Sequence, residues 1–79
     1  MNAELQSLVD DAKDQEMQVV IWSGRTMIRH TEAIAINIES DGTIRKRANG
    51  EPLSLAQARR YLRLEKHHMT EYEWDFEAI

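Results

Sequence analysis

The sequence predicts an α+β fold: a single small domain over residues 1–79, ordered helix, antiparallel β-meander, helix (αβββα), with both helices on one face of the sheet. Three observations carry this expectation. Leu5, Leu8, Val9 and Ala12 recur at i, i+3, i+4 and i+7, an apolar stripe of helical period. Runs rich in Val and Ile follow, hinged on Asp41-Gly42, a dipeptide that favours hairpins. Ser54, with Gln57 three residues on, then marks a second helix start.

The first helix spans 3–15, with Asn2 as its N-cap. Met17 to Ser23 reads as a strand. It is apolar on both faces, which suits a strand that is central or covered on both sides, with Trp22 in the core. Ser23-Gly24-Arg25 turns the chain. Residues 26–39 form a second extended stretch in which Ile34, Ile36 and Ile38 point one way. Fourteen residues exceed the usual strand length, so a bulge or break is expected near His30-Thr31-Glu32. Thr43 to Arg47 returns antiparallel to 33–39, and Asn49-Gly50-Glu51-Pro52 is a loop. In the second helix Leu53 can staple onto Ala58, and Leu55, Ala58, Tyr61, Leu62 and Met69 make the buried face. Arg59, Arg63 and Lys66 lie on another side of the wheel, with Arg60 at its edge.

The last residues alternate acid and ring through Glu71, Tyr72, Glu73, Trp74, Asp75, Phe76 and Glu77. As a strand, this segment puts Tyr72, Trp74 and Phe76 on one face and the acids on the other. As a short C-terminal helix, it starts on Thr70 with Glu73 and aligns Met69, Tyr72, Phe76 and Ile79. In either form the rings hold the segment to the domain and the carboxylates stay in solvent.

A chain of this length buries only about 60% of the surface that its unfolded form exposes, so a thin core is expected. With no cysteine, neither a disulfide nor a thiolate metal site is available. The apolar run Val19-Val20-Ile21-Trp22 is far short of a membrane span, and Met1-Asn2-Ala3-Glu4 lacks the basic opening of a secretory signal. A soluble cytoplasmic protein is the expectation. Gly24, Gly42 and Gly50 stand alone in turns and form no phosphate loop. His67, His68 and His30 lack the company of a metal set, and no nucleophile elbow occurs. The sequence therefore predicts no catalytic residue, no metal, no cofactor and no enzyme.

The net charge of −4 is unevenly spread. Residues 1–16 and the last ten residues each carry −4, and the cations lie between them. Two candidate surfaces follow. The first is acidic: Asp10, Asp11, Asp14, Glu16, Glu71, Glu73, Asp75 and Glu77, with Trp74 as an aromatic anchor, facing a protein partner with a basic surface. Acids late in a helix oppose its dipole at ~0.3–1 kcal/mol each, so the helix does not need them. The plainer reading is a solvated face kept charged for solubility. The second surface is basic and suited to nucleic acid: Arg45, Lys46, Arg47, Arg59, Arg60, Arg63 and Lys66. The plainer reading there is cations that complement a helix dipole and guard an edge strand. The element order also resembles a double-stranded-RNA-binding fold, a module that is basic overall where this chain is acidic.

The acid clusters "DDAKDQE" and "TEYEWDFE", the absence of cysteine and the helix–meander–helix build of a chain under a hundred residues together resemble the small phage-encoded anti-CRISPR proteins. The resemblance implies a non-enzymatic inhibitor, monomeric or a small homo-oligomer. Its acids would occupy a DNA-binding surface of a CRISPR effector as a DNA mimic, with a type I surveillance complex (Cascade) as the expected target. A phage regulatory or antitoxin-like interaction domain is a further class that the same build allows.

Overall fold

The computed structural model describes residues 2–64. The chain is an α+β domain with the order α1 (Ala3–Asp14), β1 (Gln18–Trp22), β2 (Arg25–Arg29), β3 (Ala35–Ile38), β4 (Ile44–Lys46), β5 (Pro52–Leu53) and α2 (Leu55–Tyr61). The strands form one antiparallel meander in chain order, β1 to β5. No helix among the described residues is long and apolar enough to cross a membrane.

The two helices arise where their caps lie. Asn2 Oδ1 accepts from the Leu5 amide at 2.8 Å and starts α1. Ser54 Oγ accepts from the Gln57 amide at 3.1 Å while Gln57 Oε1 accepts from the Ser54 amide at 2.8 Å, a complete capping box for α2. The predicted stripe Leu5, Leu8, Val9 and Ala12 is wholly buried. It meets Ile28, Ile36, Ile38 and Ile44 of the sheet, and Ala58 and Leu62 of α2, in one core. Leu55 and Tyr61 pack against that core half-buried.

One expectation is sharpened and three are corrected. The break expected near His30-Thr31-Glu32 is present, as a full reversal at 30–34 that divides residues 26–39 into two strands. No glycine or proline signals that reversal. Thr31 supplies it instead, its Oγ1 accepting from the Ala33 and Ile34 amides at 3.2 and 3.1 Å. Pro52, read as the end of a loop, and Leu53, read as a helix staple, form a fifth strand paired with Arg45 and Ile44. β1 is an edge strand and not a central one, and Trp22 is 78% exposed and not core. In a meander the first strand has no second neighbour, so its apolar sequence does not guarantee cover. Finally, α2 stops at Tyr61, which leaves Arg63 beyond the helix. Met69, Lys66 and the strand-or-helix question for 70–79 lie outside the described residues.

Both helices end in the same device. The Met17 and Glu16 amides donate to the Ala12 and Lys13 carbonyls, and the Leu64 and Arg63 amides donate to those of Arg59 and Arg60. This pairing needs a left-handed residue, a position usually held by glycine. Here Glu16 and Arg63 hold it, each with φ near 62°. Met17 and Leu64, the residues that follow, are buried, and their burial offsets the strain.

The β3–β4 hairpin turns on Asp41-Gly42 as the sequence predicts. Gly42 takes φ 92°, and Asp41 Oδ1 accepts from the Thr43 amide at 2.9 Å. That backbone bond is the main reason the Asp41 carboxyl is held below its ordinary pKa.

Two predictions follow from these termini and this turn. Glu16→Gly and Arg63→Gly, which relieve left-handed strain, are each expected to stabilise the fold by about 0.5–1 kcal/mol in urea unfolding. A loss of stability would show that the side chain holds the helix end. A lowered pKa means that the ionised Asp41 stabilises the folded state above the ordinary carboxylate value, and that this contribution fades as pH falls through the folded value. Thermal midpoints from pH 6 to pH 2 should therefore fall less steeply for Asp41→Asn than for the parent chain.

Candidate functional site

The strand register decides which side chains share a face. Ser23 and Gly24, at φ 51° and 75°, make a two-residue turn with both residues left-handed, the geometry that joins twisted strands most tightly. Trp22 is thereby set opposite Arg25, Val20 opposite Met27 and Gln18 opposite Arg29. Through β2 and β3 the same parity sets Met27 opposite Asn37 and Arg29 opposite Ala35, and β3 sets Asn37 opposite Arg45. The Arg47 amide donates to the Ala35 carbonyl at 3.0 Å and extends the row. Since Thr26, Ile28, Ile36, Ile38 and Ile44 face the helices, the opposite face carries Val20, Trp22, Arg25, Met27, Arg29, Asn37, Arg45 and Arg47.

Four guanidinium groups thus share one open sheet face with an exposed tryptophan. Arg25 Nε donates to Glu39 at 2.7 Å at the rim. Arg45 Nη1 donates to the Gly50 carbonyl at 3.0 Å, and Arg47 Nη1 lies 3.1 Å from Met27 Sδ. Among the described residues no carboxylate pairs with Arg29, Arg45 or Arg47. Val20, Trp22, Arg25, Met27, Asn37 and Arg47 line a shallow cavity of about 230 Å³. Within this group Asn37 Oδ1 is buried without a hydrogen-bond partner. An unpaired buried acceptor costs about 1–3 kcal/mol, so an apolar residue would suit the fold better in mid-strand.

The residues that the sequence singled out are distributed otherwise. Of the acids, Asp10, Asp14 and Glu16 are exposed on or just after α1, Asp10 accepting from Gln6 Nε2 at 3.0 Å. Asp11 is engaged in the fold, because Arg59 Nη1 donates to its Oδ2 at 2.6 Å while Arg59 Nη2 reaches Ser7 Oγ at 3.2 Å. Glu71, Glu73, Trp74, Asp75 and Glu77 lie outside the described residues, so the expected convergence of the two acidic ends does too. The basic set divides. Arg45 and Arg47 reach the open face, whereas Lys46 turns to the other side, 3.2 Å from Glu51 and over the Tyr61 ring. Arg60 and Arg63 are exposed near the end of α2. Trp22, Arg25, Arg29 and Asn37 escaped the sequence reading. The Ser23-Gly24 pair was the signal that places them, since a two-residue hairpin fixes the parity of both strands.

No family model, curated protein or solved structure matches the chain.

One prediction belongs to the geometry alone. Asn37→Val removes the unpartnered oxygen and adds a strand-favouring side chain. It is expected to stabilise by about 1 kcal/mol and to raise the melting midpoint by about 4–8 °C. A lower midpoint would reveal a bond made by the Asn37 amide.

Proposed function

We propose that this protein is a non-enzymatic, cytoplasmic binding module whose open sheet face takes single-stranded nucleic acid. The observation that carries the reading is the placement of Arg25, Arg29, Arg45 and Arg47 around an exposed Trp22 on a face that no described helix covers. Arginine offers planar, paired donors that match phosphate oxygens. An exposed indole offers a stacking platform for an unpaired base. In a duplex the base faces are already stacked, so a flat sheet carrying an exposed ring suits a single strand. The shallow cavity beside Trp22, with Asn37 in its lining, adds polar groups at base height.

The negative total charge does not oppose this. The exposed acids of α1 belong to the helix layer, and the core that separates the two layers is about 10 Å thick. At physiological ionic strength the Debye length is about 8 Å, so the exposed acids of α1 are largely screened from the arginine face.

The acids of α1 support a second reading: the anti-CRISPR-like inhibitor of a type I surveillance complex. Asp10, Asp14 and Glu16 are exposed with no cation at ion-pair distance among the described residues, although late acids disfavour a helix. In that case the chain blocks DNA by binding the effector and not by holding the nucleic acid.

Fluorescence titration with a labelled oligonucleotide separates the two. For the sheet face, log K is expected to fall with log salt at a slope of about −3, as four phosphate contacts require. Trp22→Ala should weaken binding by about 1–3 kcal/mol, roughly 5- to 150-fold, with unchanged folding. Single-strand affinity that ignores both Trp22 and the arginines would sink this reading. If Asp10→Asn, Asp14→Asn and Glu16→Gln together restore DNA binding to an inhibited surveillance complex, the second reading stands.

A further inference from the structure

The two edges of the sheet are unlike. β5 is two residues long, opens on Pro52 and leads straight into α2, so it offers almost no ladder to a newcomer. β1 is five residues long, QVVIW, with neither charge nor proline from Met17 to Ser23. Val20 is 39% exposed, Ile21 68% and Trp22 78%. Among the described residues this edge carries no charge, no proline and no covering segment, the common guards against pairing.

We propose that β1 pairs antiparallel with β1 of a second copy, which joins two five-stranded sheets into one. The hairpin fixes the geometry. Trp22 and Arg25 flank a two-residue turn and therefore form a narrow hydrogen-bonded pair, as do Val20 with Met27 and Gln18 with Arg29. By alternation the amides and carbonyls of Val19 and Ile21 point away from β2, toward the open edge. A two-fold axis at Val20 satisfies all of these groups together. Val19 of each copy then exchanges both bonds with Ile21 of the other, and Val20 faces Val20.

The side chains fit the same register. Ile21 gains cover from Val19 of the second copy on the helix side, so the most exposed isoleucine among the described residues extends the core across the junction. Trp22 lies beside Gln18 on the open side. Glu16 of one copy meets the Ser23-Gly24 turn of the other, beside the Arg25–Glu39 pair, whose guanidinium has further donors to offer it, and the centre of the junction is neutral. The arginine faces of the two copies become one continuous surface. A five-residue strand pair falls below the ~1,200 Å² of a standard interface, so the dimer should be concentration-dependent, half formed on the order of 10–100 µM. This inference does not depend on what the open face binds.

Sedimentation equilibrium on the full chain from about 1 µM to 1 mM tests it, together with amide exchange at both extremes. A monomer–dimer equilibrium is expected, with protection at the Val19 and Ile21 amides rising with concentration. Ile21→Lys, a change at an exposed position, is expected to keep the circular dichroism spectrum and shift the equilibrium at least tenfold toward monomer. A wild-type monomer across the whole range would overturn the proposal. So would a dimer that Ile21→Lys leaves intact, or one in which those two amides still exchange freely. Protection of the same amides at every concentration in a monomer would overturn it as well, and would assign the edge to the chain's own residues 65–79.

Discussion

Burial on one side of the sheet is the constraint from which the rest of this molecule follows. Two helices of twelve and seven residues are laid over the same face of five strands, and Leu8, Ile28, Ile36 and Leu62 are fully enclosed between them. Because strand side chains alternate, burying Ile28, Ile36 and Ile38 inward dictates what points outward. A slip of one residue would expose the isoleucines and bury arginines. The arginine face is therefore held by the same register that holds the core. Arginine also serves on such a face, because its long stem can lie along apolar surface while the charge stays wet. Ala35, on the open side between its neighbours Arg29 and Arg47, is only 5% exposed.

How much of this was legible depended on whether the signal was local. The α1 stripe, both N-caps, the capping box and the Asp41-Gly42 turn are short-range patterns, and the structure has each where the sequence puts it. The misreadings share a cause. An apolar strand looks the same whether it is central or at an edge, so β1 and Trp22 were placed inside. The break near His30-Thr31-Glu32 was legible from strand length, but its form as a full reversal rests on the Thr31 hydroxyl, with no glycine or proline to announce it. The end of α2 was missed because arginine, not glycine, occupies the left-handed position. The candidate site was the least legible part, since its residues come from β1, β2, β3 and β4 and are united only by pairing.

The open face also departs from what stability alone would select. Asn37 interrupts the otherwise apolar β3 with an oxygen that no donor among the described residues reaches, and Trp22 leaves most of its ring in water. Either feature alone is a small cost. Together on one face, beside three arginines without carboxylate partners, they fit the general rule that local inconsistency gathers where a protein meets something else. The core face shows no comparable conflict: Thr26 is its one buried polar residue named among the described residues.

Charge ties the layers together as well as dividing them. Arg59 of α2 reaches across to Asp11 and Ser7 of α1, with the guanidinium mostly enclosed. Asp11 lies where the α1 dipole disfavours a carboxylate, and the cross-helix arginine compensates for that placement. The contact engages one residue of each surface read in the sequence within the fold itself. Of the acidic set, the described residues leave Asp10, Asp14 and Glu16 exposed at the end of α1. What remains on the sheet is a set of arginines that the register gathers at fixed spacing around an aromatic ring. A preorganised array loses less entropy on binding than scattered charges do, and for that reason the sheet, rather than the helix, is the better-formed surface of the two.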